Sequence, residues 1–240
     1  MLQKKCYKNL ILSATLMIAL TACGNQMAHL PDDQDHDTYS TKTSRPSALV
    51  TATPLISPSE EAQILTKYDY VDPQHLIRDS LIKEALIFYE KRSDLINNKS
   101  YLSVIDFSLS SKFARFFIID MKSGAVWAIH TAHGKGSDAN SDGVAESFSN
   151  SSGSDASSLG YYLTAETYFG KHGLSLRLDG ISDSNSNVRA RGVVIHGADY
   201  VQESNIIQGR SWGCPAVTMA NRDRVVNSLK GGSLIYAGVQ

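Results

Sequence analysis

Apolar side chains recur at helical spacing through residues 74–92, where they fall on one side of a helical projection. That side consists of Ile77, Leu81, Ala85 and Phe88. Asp72 and Pro73 precede the segment and predict an N-cap followed by a first-turn proline, and the sequence NNKS at 97–100 predicts the end. The pattern therefore predicts one amphipathic helix with a buried face.

Short segments rich in β-branched and aromatic residues predict strands along the rest of the chain. They are 101–107, 115–120, 125–131, 161–167, 174–178, 192–196 and 233–239. The sequence MKSG at 121–124 predicts a hairpin turn, and Thr218 predicts the cap of a short helix that ends near Leu229. Many strands without a regular strand–helix alternation predict a mainly β (α+β) fold, a β-sandwich or small barrel with a few peripheral helices.

Residues 133–160 are mostly small and polar and predict a long loop, and loops of this length inside a compact domain are usually functional. The sequence DANSDG at 138–143 matches the start of a calcium loop, but Ser149 stands where such a loop requires a bidentate glutamate. A series of Asx turns explains the same residues. We therefore predict no metal and no cofactor, with calcium at the loop that begins at Asp138 left as the alternative.

The N-terminal segment has the pattern of a secretory signal peptide. Lys4, Lys5 and Lys8 form a basic start, and an apolar run follows from Leu10 to Leu20. This run is shorter than the roughly 20 residues that a membrane-spanning helix needs. A buried core helix is the alternative, but the basic flank at the terminus favours export.

The sequence Leu20-Thr21-Ala22-Cys23 resembles a bacterial lipobox, in which the cysteine is acylated and becomes the new N-terminus. We therefore predict a signal peptide over 1–22 and lipidation at Cys23, with an ordinary secreted protein as the alternative. The anchored protein faces an extracytoplasmic space. Because Gly24 replaces the aspartate that resembles an inner-membrane retention signal, the outer membrane is the predicted location if the cell has one.

Residues 23–60 predict a disordered tether. Four of the six prolines of the chain lie here among Ser, Thr and Asp residues, and such a composition cannot bury enough apolar surface to offset the entropy of ordering. Residues 61–240 remain as one folded domain, which we expect to be a monomer. The net charge is −1 and the basic residues are scattered, which argues against a nucleic-acid partner.

Removal of residues 1–22 and lipidation of Cys23 leave Cys214 as the single free thiol of the exported domain. Exported proteins usually pair their cysteines, so a lone one indicates an intermolecular bridge, a reactive thiol or an inert buried residue. His196 ends an apolar run and is followed by Gly197, and Ser211 and Gly213 flank the thiol. These are the parts of a cysteine nucleophile: a histidine base, a serine that orients the imidazole, and a glycine that lets backbone amides converge.

The sequence IHG at 195–197, followed by SWGC at 211–214, resembles the signature of the L,D-transpeptidase (YkuD-type) catalytic domain. His196 and Cys214 lie 18 positions apart, which matches the family spacing. The segments AHGKGSD, FSN, SSLGYYLT, GKHGLSLRLDG and GRSWGCPAV together resemble the murein L,D-transpeptidase branch. The resemblance extends from about residue 76 to the C-terminus and implies the fold of that family.

The resemblance implies that Cys214 is the nucleophile and His196 the base, that Ser211 assists, and that the amides of Gly213 and Cys214 form the oxyanion hole. Trp212 stands where many members have a second histidine, and Pro215-Ala216 also departs from the common pattern. These positions are expected to contact substrate.

The same resemblance implies that the substrate is a peptidoglycan tetrapeptide stem, attacked at the diamino acid in position three with loss of the terminal D-alanine. The acyl acceptor is a second stem, which gives 3→3 cross-links, or a protein amine, and water would make the enzyme a carboxypeptidase. His172, Arg210, Trp212 and Gly197 are the candidate substrate-binding residues. A non-catalytic peptidoglycan-binding lipoprotein is the rival interpretation.

Overall fold

The computed structural model describes residues 54–239. Three α-helices and eight strands are found in that part of the chain. The helices are α1 (Pro58–Lys67), α2 (Asp79–Lys91) and α3 (Met219–Leu229). The strands are β1 (Tyr101–Asp106), β2 (Phe116–Asp120), β3 (Val126–Ile129), β4 (Gly160–Gly170), β5 (Gly173–Gly180), β6 (Val194–Ala198), β7 (Val217–Thr218) and β8 (Leu234–Gly238).

All eight strands belong to one sheet with the order β3-β2-β1-β8-β4-β5-β6-β7. The β1–β8 and β6–β7 pairs are parallel, and the other neighbours are antiparallel. The sheet curls on itself, because Phe116 of β2 and Ile195 of β6 belong to the same apolar cluster although four strands lie between β2 and β6. The predicted mainly β fold with a few helices is therefore confirmed.

The two faces of the sheet pack against different helices. In β2, Phe117 and Ile119 face the core that α2 covers, while Phe116 and Ile118 face the core that α3 covers. This alternation follows from the two-residue period of a strand. Leu229 at the end of α3 is fully buried against the second core. That core also lies under β6, the strand that carries His196.

Two sequence predictions at the start of the domain differ from the structure. Asp72 does not cap the helix: its backbone has a φ of 54°, and its carboxylate accepts the N–H groups of Leu76 and Ile77 in a turn that precedes α2. The helix begins at Asp79, with Arg78 at the N-cap. Asp72 thus stabilises the approach to the helix.

A further helix, α1, begins at Pro58, inside the stretch predicted as tether. Ser57 accepts the N–H of Glu60, so the helix has a serine N-cap and a proline in its first turn. The predicted signal peptide, Cys23 and the tether up to residue 53 lie outside the described residues. Within 54–239, no helix has the length and apolar character needed to span a bilayer.

Candidate active site

The pairing of β6 with β7 brings Cys214 to the strand that carries His196. Gly197 pairs with Val217 in a parallel register, so the register extended three residues back sets Cys214 beside Val194. The Sγ atom of Cys214 accepts the N–H of Val194 at 3.4 Å and lies 3.9 Å from the carbonyl oxygen of Gly192. The thiol forms no disulfide and is partly exposed. It thus lies two residues, about 7 Å of strand rise, from the position of His196.

His196 is nearly fully buried in β6, opposite Ser175 of β5. Its Nδ1 lies 3.0 Å from the carbonyl oxygen of Gly197. Because a carbonyl oxygen only accepts, Nδ1 carries the proton and Nε2 is the basic nitrogen. This tautomer is the one that a general base toward a neighbouring thiol requires.

His172 packs directly on the ring of His196. The two imidazoles are stacked with their centroids 4.2 Å apart and an interplanar angle of 29°. His172 belongs to the turn between β4 and β5, and β5 pairs with β6, so the hairpin carries this second imidazole to the first. The sequence had proposed a contact with substrate for His172; its contact with His196 was not foreseen.

Ser211 bonds within residues 210–216, the segment that carries Cys214 and is called the nucleophile loop below. Its hydroxyl donates to the carbonyl oxygen of Cys214 at 2.7 Å and accepts the N–H of Gly213 at 3.1 Å. The hydroxyl thus fixes the turn around the thiol. The sequence predicted that it would orient the imidazole of His196, but the Gly197 carbonyl makes that contact. The Gly213 amide, expected in the oxyanion hole, is used by Ser211.

The nucleophile loop is joined to the segment that follows β3. The N–H of Ser211 donates to His133 O at 2.8 Å, and the N–H of Lys135 donates to Ser211 O at 2.7 Å. Two residues after Cys214, the carbonyl oxygen of Ala216 accepts the N–H of Ala132 at 2.9 Å. The residues around Cys214 are therefore held between β6 on one side and residues 131–135 on the other.

The family model of the L,D-transpeptidase catalytic domain matches residues 74–237, more than half of the 240-residue chain. The chain belongs to this family. The match includes β6, the nucleophile loop and both helices that pack on the two cores. No match was found among curated protein sequences.

Three solved structures that match this chain are all distant from it in sequence. The LD transpeptidase LdtMt1 in complex with imipenem is 14% identical, with a TM-score of 0.36, over 58% of this chain and 59% of that one. The L,D-transpeptidase from Xylanimonas cellulosilytica is 15% identical (TM-score 0.34, 59% and 62%). The helical cell shape determining protein Pgp2 from Campylobacter jejuni is 11% identical (TM-score 0.36, 64% and 54%). The chain thus spans less than two thirds of each.

This L,D-transpeptidase-family domain departs from the common pattern at Trp212, which lies beside the thiol. The ammonium of Lys135 lies 4.3 Å from the centroid of the Trp212 ring, and the same ammonium pairs with Asp155 at 3.2 Å. The indole is therefore fixed by a cation–π contact at the edge of the site. The contact with Lys135 thus fixes the side chain of Trp212, at the position where many members of the family have a second histidine.

Arg210 and Gly197 have identifiable roles in the fold. The guanidinium of Arg210 donates to the backbone carbonyl of Asp138, which ties the nucleophile loop to the long loop. At Gly197 a Cβ would lie 2.7 Å from the Met219 sulfur, so a larger residue beside the base would require the Met219 side chain to move. Neither observation tests the predicted contacts with substrate.

A buried charged network lies behind the nucleophile loop, and sequence analysis did not find it. Arg115 donates to Nδ1 of His133 at 2.8 Å, and Nε2 of His133 lies 3.2 Å from Asp138. Burial lowers the pKa of His133 to about 4, with the Arg115 charge acting in the same direction. The pKa of the Asp138 carboxyl lies below its ordinary value, because hydrogen bonds from His133 and Gly143 outweigh the opposing effect of burial. His133 therefore stays neutral at neutral pH.

The loop at 138–143 consists of Asx turns. Asp138 accepts the N–H groups of Asp142 and Gly143, Asn140 accepts that of Asp142, and Asp142 accepts that of Val144. Within residues 54–239, no group of three acidic, cysteine or histidine side chains could hold a metal.

Proposed function

We propose that the chain is a cysteine-dependent acyltransferase that acts on peptidoglycan stem peptides, an L,D-transpeptidase whose thioester forms on Cys214. The observation that carries the proposal is the parallel β6–β7 register, which sets a partly exposed thiol that forms no disulfide against the strand that carries His196. Membership of the L,D-transpeptidase catalytic-domain family supports the assignment to the cell wall.

In the proposed mechanism, Nε2 of His196 takes the thiol proton of Cys214, and the sulfur attacks the carbonyl of the diamino acid in position three. The tetrahedral intermediate collapses with cleavage of the bond to the terminal D-alanine, and His196 returns its proton to the leaving amine. An acceptor amine then attacks the thioester and gives up a proton to Nε2 of His196, the carbon–sulfur bond breaks, and the departing thiolate takes that proton back as the thiol. The Nδ1–H bond to Gly197 persists through each of these proton transfers.

The developing oxyanion needs backbone donors near the thiol. Since the Gly213 amide donates to Ser211 in this structure, we assign the main donor role to the Cys214 amide. Gly213 contributes through its φ of 113°, a conformation that L side chains rarely adopt. Ser211 contributes by fixing the turn.

Around this reaction centre, Trp212, His172, Arg210 and Gly197 are proposed to line the path of the stem peptide. Lipid attachment at Cys23 would keep a monomeric domain at the membrane surface, in an extracytoplasmic compartment. Two acyl chains provide lasting attachment, whereas a single chain is marginal. A stem peptide amine is the proposed acceptor.

The decisive experiment incubates the full chain with purified disaccharide-tetrapeptide and follows protein and products by mass spectrometry. We expect a thioester on the peptide that contains Cys214, loss of D-alanine, and cross-linked dimers. Free tripeptide instead would identify a carboxypeptidase. The Cys214→Ala variant should fold and form no adduct. Activity retained in that variant, or binding of the stem without turnover by the wild-type protein, would contradict the proposal.

A further inference from the structure

Two arginines precede β6 and have opposite environments. Arg189 is exposed and pairs with two carboxylates, donating to both oxygens of Glu166 at 2.8 and 3.0 Å and also to Asp179. Arg191, two residues later, is partly buried and lies toward the nucleophile loop. The sequence RARG at 189–192 does not indicate that the two arginines differ. The structure shows that they have different partners.

The guanidinium of Arg191 donates four hydrogen bonds to the long loop. Nη1 donates to Ser149 O and Ser158 Oγ, both at 2.8 Å, and Nη2 donates to Ala156 O at 2.6 Å and Ser154 Oγ at 3.3 Å. All four acceptors are neutral. In the part of the chain that the structure describes, no carboxylate forms an ion pair with Arg191. Its charge is therefore not neutralised by a direct partner.

This charge lies against the residue that precedes the nucleophile. A Cβ on Gly213 would lie 3.1 Å from Nη2 of Arg191 and 2.7 Å from Ala156 O, so the guanidinium and the carbonyl that it binds pack on the Gly213 α-carbon. The thiol itself contacts the backbone of Gly192 and Val194, the segment that continues from Arg191.

The surroundings of Arg191 act on its pKa in two opposite directions. Burial lowers the pKa of its guanidinium below the usual value, and the negative charges that Tyr162, Cys214 and Asp155 carry when ionised act in the opposite direction. The interaction between Arg191 and an ionised Cys214 is mutual, since a cation that is stabilised by a thiolate stabilises the thiolate equally. In a partly buried setting this attraction is screened less than at the surface.

We propose that Arg191 is a positioning residue for the nucleophile: it fixes residues 149–158 against Gly213, and its unpaired charge stabilises the Cys214 thiolate. The inference rests on the proposed function, in which the thiolate is the attacking species. It assigns to the long loop a task in the reaction, because four loop acceptors hold this cation against Gly213, the residue before the thiol.

The test measures the rate of alkylation of Cys214 by iodoacetamide as a function of pH, in the full chain, with modification read on the peptide that contains Cys214. The variants are Arg191→Gln, Arg191→Lys and the matched control Arg189→Gln. Loss of a nearby cation moves a thiol titration by on the order of one unit. We therefore expect Arg191→Gln to lower the alkylation rate at neutral pH about tenfold and to move the midpoint of the pH profile upward.

Arg191→Lys keeps the charge but not the four hydrogen bonds, so its midpoint should stay closer to wild type, while protease cleavage within 149–158 becomes faster. Arg189→Gln should leave the midpoint unchanged. A purely structural role would lower the melting temperature of Arg191→Gln without moving its midpoint, and this result would overturn the proposal. If Arg191→Gln does not fold, Arg191→Lys becomes the deciding variant. An alkylation rate about tenfold below wild type at neutral pH in Arg191→Lys, with the midpoint moved upward, would then overturn the proposal, because this variant keeps the positive charge.

Alkylation does not require peptidoglycan, so the two proposals fail separately. If Arg191→Gln changes the alkylation profile of Cys214 as expected but the wild-type protein forms no thioester with the tetrapeptide, the proposed function alone is contradicted. A protein that forms the thioester with an unchanged pH profile in Arg191→Gln would contradict this inference alone.

Discussion

His133 and His196 are both nearly fully buried, and both lie beside the nucleophile loop, but their rings have different partners. His133 accepts a hydrogen bond from Arg115 on one nitrogen and donates to Asp138 from the other. His196 donates from Nδ1 to the neutral carbonyl of Gly197 and stacks on a second imidazole. One ring is enclosed by formal charges, and the other is oriented by a neutral group.

This difference determines which ring can change its charge. Protonation of His133 would place a proton on the nitrogen that accepts from Arg115, so the hydrogen bond would be lost and two cations would meet in a buried site. The Nδ1–H bond of His196 to Gly197 is the same in the neutral and the protonated ring. Both histidines are buried, so burial does not distinguish them. Their hydrogen-bond partners do: the partners of His133 favour a structural role, and the partner of His196 allows it to act as a base.

The largest expected effect is on the rate of acylation of Cys214 when each of the two histidines is replaced by glutamine. Glutamine at 196 can still donate to Gly197 but cannot take up a proton, so His196→Gln should slow acylation of Cys214 about 100- to 10,000-fold. Glutamine at 133 can accept from Arg115 and donate to Asp138, so acylation should change by no more than a few fold. Thioester formation, followed by mass spectrometry, gives both rates.

Thermal unfolding of the same two variants supplies the control. Both should retain a cooperative transition within a few degrees of wild type, since each keeps the hydrogen bonds of the native ring. Equal loss of activity in the two variants would remove the distinction between them.

The next effect is the stability of the domain in acid. The pKa of His133 is lowered from 6.5 in the unfolded chain to about 4 in the fold, so the unfolded state binds more protons between these values. Stability is fully present above 6.5, is lost as the pH falls, and stays low below about 4. The gap corresponds to about 3 kcal/mol of unfolding free energy. Urea unfolding at a series of pH values measures it.

The His133→Gln variant isolates this contribution, because glutamine does not titrate. Subtraction of its pH profile from that of wild type removes the other titrating groups. The three charges that face the ring are Arg115, Asp138 and Arg210. The Asp138 carboxyl has a lowered pKa, so its own contribution is lost below the ordinary value of 3.8, outside this range. A difference profile that is flat between pH 4 and 6.5 would show that His133 titrates normally.

Features encoded by neighbouring residues were predictable from the sequence. The strands that bear His196 and the C-terminal segment follow from their apolar runs, and Thr218 caps α3 as expected, accepting the N–H of Asn221. The helix α1 was missed although Ser57 and Pro58 are a readable start signal, because the surrounding prolines indicated a tether.

Features that depend on distant residues were not predictable. Arg115, His133 and Asp138 meet because β2 and the long loop converge, and each of them alone has the appearance of an ordinary surface residue in the sequence. The two-residue strand β7 exists only through its pairing with β6. The motif could thus name Cys214 and His196, but not the groups that hold them in position.

The smallest expected effect on acylation comes from the stacking of His172 on His196. His133 is held by hydrogen bonds on both ring nitrogens, whereas His196 is held by one hydrogen bond and by this stacked ring. A stacked pair of this kind contributes about 0.5–1.5 kcal/mol, so His172→Ala should slow acylation about 2- to 12-fold. His172→Phe retains an aromatic face against the base and should recover most of that rate if the ring acts by orienting His196. If His172 instead binds the stem peptide through its nitrogens, both variants should raise KM equally and Phe should give no recovery in kcat. Steady-state release of D-alanine by the three proteins distinguishes these roles, because orientation of the base affects kcat and contact with the ground-state substrate affects KM.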